Sequence, residues 1–196
     1  MADRFAGIDP AKLAADASAG NVRAHDENTP LFLIPQGSGT TVFTEDFNEA
    51  TLPSDWQVVD HAGNGVVWAT SDEWEMDNLT GGDGQAATAN SDDVPSASYD
   101  TELISPEITV PEGTGRAFLA FKANYQNLGA GDALDIDVSI DGTNWVTAAH
   151  WREDHGSLFM PVGEMAVIDL TPALHPELAG TGVLPSAITN RTFHVR

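Results

Sequence analysis

The sequence contains no cysteine, which excludes disulfide bonds, thiolate metal sites and thiol catalysis among its 196 residues. Basic residues are also scarce, since 8 lysines and arginines stand against 30 acidic residues and the formal net charge is −22. A field of that sign repels phosphate backbones and anionic lipid surfaces, so we expect no nucleic-acid partner. No apolar run reaches the roughly 18 residues of a membrane-spanning helix, so we expect no membrane insertion.

The acidic excess itself has three explanations. It can serve the binding of Ca²⁺ or other cations, solubility in a salty medium, or a charged surface that needs no specific partner. A hydrophobic fraction of 41% and five tryptophans are enough to build a core, so wholesale disorder is not expected. Length and composition together predict one folded domain with an additional arm.

Residues 1–39 differ from the rest of the chain and are predicted to form an N-terminal arm or linker. Asp9 is a helix N-cap candidate, Pro10 suits the first helical position, and an alanine-rich stretch follows, so the arm should contain a short helix. Gln36–Gly39 indicates a hinge. The arm lacks the continuous apolar segment of a signal peptide.

From residue 40 to residue 196 helical periodicity is nearly absent, and short strand-like runs recur between turn residues. Thr40–Phe47 predicts a first strand, and Pro53 then interrupts the extended pattern, which resumes at Trp56. Gly63–Gly65 predicts a tight turn because glycine tolerates positive φ. A third strand should begin at Val66.

The later segments continue the pattern of strands and turns. Thr101–Val110 predicts a strand interrupted by a proline, and Arg116–Tyr125 predicts a central strand covered on both faces. Leu134–Ile140 alternates apolar residues with Asp135 and Asp137, which should face solvent. Asp141-Gly142 predicts a hairpin turn, and the final strands are expected at Met165–Leu170 and Thr192–Arg196.

Three motifs resemble the MAM-like jelly-roll domains, which include the cleaved-adhesin and "choice-of-anchor J" domains of secreted bacterial proteins. The first motif consists of Glu45, Asp46, Phe47, Leu52, Pro53, Trp56, Asp60, Gly63, Gly65 and Trp68. The second is the Leu-Ile-Ser-Pro-x-Ile segment within Glu102–Ile108, and the third is the hairpin Leu134–Trp145. The resemblance covers roughly residues 41–196 and implies an all-β, jelly-roll β-sandwich over residues 40–196.

The resemblance also implies a function and a location. We expect a non-catalytic, calcium-stabilised binding or adhesion module of a secreted or cell-surface bacterial protein, within a larger multidomain chain. Its ligand would be a glycan or an extracellular protein. The alternative is a structural accessory domain of a secreted protease or other hydrolase, with no ligand of its own.

Candidate calcium ligands are carboxylates at strand ends and in loops. Calcium takes about six to eight oxygen ligands, and the chain has no EF-hand loop, so a site would combine separate segments. The resemblance implies a structural cation near the first strand, at Glu45 and Asp46. The predicted loops add Asp60, Asp92 and Asp93, and the jelly-roll fold adds Asp169, because its final strands run beside the first. The alternative is that each is a solvated carboxylate or a cap on a local turn.

Few features of the sequence indicate catalysis. Asp135 and Asp137 lie about 7 Å apart on one strand face, a separation that invites comparison with a glycosidase pair. In a protein this acidic, a solvent-exposed strand face that carries alternate aspartates is a better explanation of the pair. His150 and His155 are five residues apart, which suits no helical metal pair, and no nucleophile motif occurs. We therefore predict that the protein is not an enzyme.

Two tryptophans are candidate ligand-binding residues. Trp74 and Trp151 fall in predicted loops with acidic neighbours, and an exposed indole beside carboxylates suits the stacking of a sugar ring. The alternative is that they anchor these loops on the sandwich. Trp56, Trp68 and Trp145 belong to the family-like motifs and are predicted to be core residues.

Overall fold

A computed structural model describes residues 39–91, 100–157, 162–181, 188 and 191–196. The chain divides into the units Met1–Thr41 and Val42–Arg196, and every described strand lies in the second. The predicted arm, apart from Gly39, lies outside the described residues, as do Asp92 and Asp93. The predicted domain boundary therefore stays a prediction.

The described part of the chain contains β-strands and one short 3-10 helix, Pro176–Leu178. The strands are β1 (Gln57–Asp60), β2 (Ala69–Thr70), β3 (Ala87–Thr88), β4 (Thr101–Ile104), β5 (Ile108–Val110), β6 (Phe118–Ala123), β7 (Leu134–Ser139), β8 (Val146–Trp151), β9 (Glu164–Asp169) and β10 (Arg191–Val195). Among these residues no helix is long and apolar enough to cross a membrane.

The strands form antiparallel sheets, two of which contribute to one buried core. Strands β5, β10, β7 and β8 form a four-stranded sheet in that order, and β6 pairs with β9, β1 with β4 and β2 with β3. The core combines Val138 of β7 and Phe193 of β10 with Ile168 of β9, so residues of the four-stranded sheet and of the β6–β9 pair are buried together. This arrangement confirms the predicted all-β sandwich.

The predicted first strand, Thr40–Phe47, is not a strand in the structure. Phe47 has a φ of 52°, in the left-handed region, where an extended ladder cannot continue. A carboxylate oxygen of Glu45 accepts the Phe47 N–H at 2.9 Å, and Asp46 accepts the Asn48 N–H at 3.1 Å. These local bonds compete with strand pairing, and here they form a turn.

Strand β7 departs from the predicted wet and buried faces. Asp135 is exposed as expected, but Asp137 and Ser139 are buried along with their apolar neighbours. This face of β7 is covered at Asp137 by Arg196, a contact that alternation does not predict. The Asp137 carboxylate is accommodated there by the guanidinium of Arg196.

Two further strand predictions need adjustment. Thr101–Val110 contains two strands with different partners, because the segment around Pro106 separates β4, which pairs with β1, from β5, which pairs with β10. The predicted central strand within Arg116–Tyr125 is β6, whose partner among the described strands is β9. Ala120 and Lys122 of this strand are exposed, so β6 is not covered on both faces as predicted.

Candidate functional site

Glu45 and Asp46, the carboxylates that the resemblance assigns to a cation, lie in the turn before β1. Each accepts a main-chain N–H two residues further along the chain, at Phe47 and Asn48. The turn is fixed to a second loop, because Asn48 accepts the Gln85 N–H at 3.0 Å. Both carboxylates are exposed and serve the local turn.

Asp60 closes the loop that follows β1. Its two carboxylate oxygens accept the N–H groups of Gly63 at 2.7 Å and Gly65 at 2.8 Å. Both glycines have positive φ, at 66° and 79°, as the predicted turn requires. The hydrogen bond from Gly65, with those from neighbouring amides, lowers the pKa of Asp60 below its ordinary value. The carboxylate therefore acts as an anionic cap for its own loop.

Asp169 lies at the end of β9, next to β6. One of its oxygens pairs with the guanidinium of Arg116, and the other accepts the Thr171 N–H at 3.0 Å. We expected Asp169 to lie beside the first strand, but its strand partner is Phe118 of β6. Its carboxylate is thus engaged in joining β9 to the start of β6.

The candidate calcium ligands that the structure describes have separate local partners. Calcium needs several oxygens converging on one point, whereas Glu45, Asp46, Asp60 and Asp169 serve separate turns and pairs. Across the described ranges, no group of three or more histidine, aspartate or glutamate side chains could hold a metal ion. The remaining candidates, Asp92 and Asp93, lie outside these ranges.

Trp151 does not lie in a loop, and the prediction that placed it there is wrong. It is the last residue of β8 and is 4% exposed. Its ring stacks on that of His155 with centroids 3.8 Å apart, and on Phe121 at 5.9 Å. Alternate residues of a strand face opposite sides of the sheet, and this residue of β8 is on the side that faces the core. With both neighbours in place, the indole has no open face for a sugar.

Trp74 lies in a turn after β2, as predicted, and is partly buried. Its main-chain N–H donates to the Thr70 carbonyl at 3.2 Å. The indole nitrogen is buried and has no hydrogen-bond partner within the described structure. A buried N–H cannot donate to a surface ligand unless the side chain moves, so only part of the ring is available for stacking.

The described histidines pair with carboxylates or with the main chain. The pairs are His61 with Glu102, His150 with Asp135, His155 with Glu164, His175 with Glu177, and His194 with the Ser105 carbonyl. The second ring nitrogen of His150 accepts from Arg152 at 2.6 Å. None of these pairs places a serine or threonine hydroxyl against a described histidine, the arrangement of one class of covalent hydrolases.

A charge network that the sequence analysis missed centres on Arg196. Its guanidinium pairs with Asp137 and with Glu102, and it lies 4.5 Å from the centre of the Trp145 ring. Partial burial acts to raise the pKa of Glu102, but hydrogen bonds from His61 and Arg196 outweigh it, and the pKa is lowered. No sequence pattern joins these residues, because they come from four separate segments.

A partly exposed apolar surface at β1, at β4 and in the segment before β1 was also missed; we call it the β1 face. It consists of the exposed Phe43 and Val58 with the partly buried Trp56 and Leu103. Phe43 and Val58 are each 36% exposed. The Phe43 ring lies 6.2 Å from that of Trp56, and Val58 is directly opposite Leu103 across the strand pair. Trp56 lies in the bend directly before β1, where its main-chain N–H donates to the Pro53 carbonyl at 3.0 Å.

The comparisons with known proteins give one finding. The family model described as "Cleaved Adhesin Domain" matches residues 40–146, from the turn before β1 to the first residue of β8. No match was found among curated proteins or among solved structures. The matched segment contains the β1 face and the Asp60 loop.

Proposed function

Because the chain belongs to the cleaved-adhesin domain family, we propose that it is a non-catalytic binding module of the adhesion type, in a secreted or cell-surface bacterial protein. The family match carries this proposal, since it spans more than half of the 196 residues. Hydrolysis of generic ester, glycoside or peptide substrates by the purified chain would contradict it.

The exposed surface favours a protein ligand over a glycan. Of the two tryptophans expected to stack on a sugar, Trp151 is in the core and Trp74 has a buried indole nitrogen. Two of the exposed apolar residues, Phe43 and Val58, belong to the β1 face, and the apolar core of a protein interface is built from such residues. Because Trp74 remains partly exposed, a glycan array probed with the wild type and with Trp74→Ala tests the glycan alternative. Binding lost in Trp74→Ala, with unchanged folding, would favour a glycan.

Calcium stabilisation is a separate proposal, supported by the resemblance and by the acidity rather than by a gathered ligand set. A thermal melt after chelation, repeated with Ca²⁺, Mg²⁺ and NaCl at matched ionic strength, tests it. A cation that binds only the folded state at a hundred times its Kd adds about 2.7 kcal/mol. A rise specific to Ca²⁺ and lost in Asp92→Ala or Asp93→Ala supports a site there. An equal rise with NaCl indicates simple charge screening.

A further inference from the structure

The β1 face combines exposed apolar side chains with a carboxylate rim. Glu45 and Asp46 follow Phe43 by two and three residues, and Asp55 directly precedes Trp56; all three are exposed. An apolar centre within a polar rim is the usual anatomy of a protein interface. All three rim residues are carboxylates, so the rim is negatively charged.

The sequence around the β1 face has an extreme charge bias. Residues 24–115 contain 18 aspartates and glutamates and not one lysine or arginine. A ligand that approaches this part of the chain meets a negative field, which speeds encounter with a cationic partner and repels an anionic one. The same field opposes a second copy of this chain, whose net charge is also −22.

One edge of strand β1 has no strand partner among the described residues. Among the described strands its partner is β4, paired from Gln57 with Ile104 to Asp60 with Thr101. The described residues place no strand against the other edge of β1. An extended peptide can add to such an edge with main-chain hydrogen bonds, while alternate side chains contact the adjoining face.

We propose that the β1 face binds an extended, lysine- or arginine-rich polypeptide segment whose apolar side chains contact Phe43 and Val58 and whose cations face the carboxylate rim. This inference rests on the proposed binding function and names its ligand class. It distinguishes a basic polypeptide from a glycan, which carries no such cations. It also separates the β1 face from the exposed apolar residues elsewhere, such as Val146 of β8.

The test uses the whole chain and three labelled, end-blocked peptides of equal length, with binding followed by fluorescence anisotropy at about 0.15 M salt. One peptide alternates lysine with valine, the second alternates glutamate with valine, and the third alternates lysine with serine. We expect only the lysine–valine peptide to bind well. Phe43→Ser and Val58→Ser should each weaken it about tenfold.

Val146→Ser is the matched control, because Val146 is a strand valine with the same 36% exposure as Val58. It should leave the affinity unchanged. Equal loss in Val146→Ser and Val58→Ser would show that binding does not depend on the β1 face, and equal binding of the lysine–serine peptide would show that charge alone attracts the peptides. Either result would overturn the proposal. Concentration-dependent self-association that Val58→Ser abolishes would identify a second copy as the occupant instead.

The proposed function can survive failure of this inference. If the lysine–valine peptide does not bind but the wild type still binds a glycan or an extracellular protein through other residues, the β1 face is excluded and the binding function stands. If the wild type binds neither the peptides nor any component of a broad array, the binding function fails as well.

Discussion

The substitution Arg196→Met isolates the charge network between β7, β4 and β10. Asp137 is 7% exposed, and one of its oxygens accepts from Arg196 Nε at 3.0 Å. The other oxygen is buried with no hydrogen-bond partner among the described residues. Methionine keeps an aliphatic side chain near Trp145 but removes the charge. The substitution therefore leaves a buried carboxylate without its counter-charge.

The expected loss of stability follows from that burial. Breaking a buried ion pair costs about 3–5 kcal/mol. The Arg196 side chain is 25% exposed, so water can partly replace it, and we expect about 2–3 kcal/mol. Such a loss is a large share of the roughly 5–15 kcal/mol that stabilises an ordinary domain. Urea unfolding followed by tryptophan fluorescence measures it.

A double variant distinguishes charge from packing. Asp137→Val combined with Arg196→Met replaces both partners by apolar groups, and should lie within about 1 kcal/mol of the wild type, because apolar replacement of a buried pair is often neutral. Arg152→Met, which removes an exposed arginine beside His150, should cost about 0.5 kcal/mol or less. If Arg196→Met behaves like Arg152→Met, or if the double variant loses the sum of its single losses, the reasoning is refuted.

Two further predictions concern pH and packing. The hydrogen bond from His175, with that from Arg191, lowers the pKa of Glu177 from 4.5 to about 2. The contribution of the Glu177 carboxylate to the free energy of unfolding is therefore present above pH 4.5 and is lost as pH falls towards 2. Urea midpoints between these values should therefore fall less steeply in Glu177→Gln, and an unchanged slope would refute this. A Cβ at Gly163 would clash with the carbonyl oxygens of Thr80 and Ala123, so Gly163→Ala should destabilise by about 2 kcal/mol or more. Gly115→Ala, which meets no atom within 4 Å, should change the free energy of unfolding little, and equal losses in both variants would contradict the packing argument.

Local chemistry made much of the fold predictable from sequence. The Gly63–Gly65 turn and the Asp141–Gly142 hairpin follow from residues that accept positive φ, and the structure has both. Strands β7 and β8 follow from alternation and from this hairpin. These features depend on residues that are neighbours in the sequence, so they can be predicted without knowledge of the tertiary contacts.

The errors arise where distant residues decide the outcome. Alternation alone assigns Asp137 to the solvent face, but its burial depends on Arg196, 59 residues away. Trp151 has acidic neighbours in sequence, but its ring contacts Phe121 and His155 in the core. The error in Thr40–Phe47 is of another kind, because there strand propensity yields to local side-chain bonds of Glu45 and Asp46. The β1 face was missed because β1 and β4 lie about forty residues apart in the sequence.

Binding by the intact chain tests the adhesion-type function most directly. We would apply the folded wild type, Val58→Ser and Val146→Ser to an array of glycans and extracellular proteins of varied charge, at about 0.15 M salt. We expect retention by at least one basic protein, lost in Val58→Ser and kept in Val146→Ser. Absence of retention by every component of the array, with folding verified, would contradict a binding module and favour a structural accessory domain.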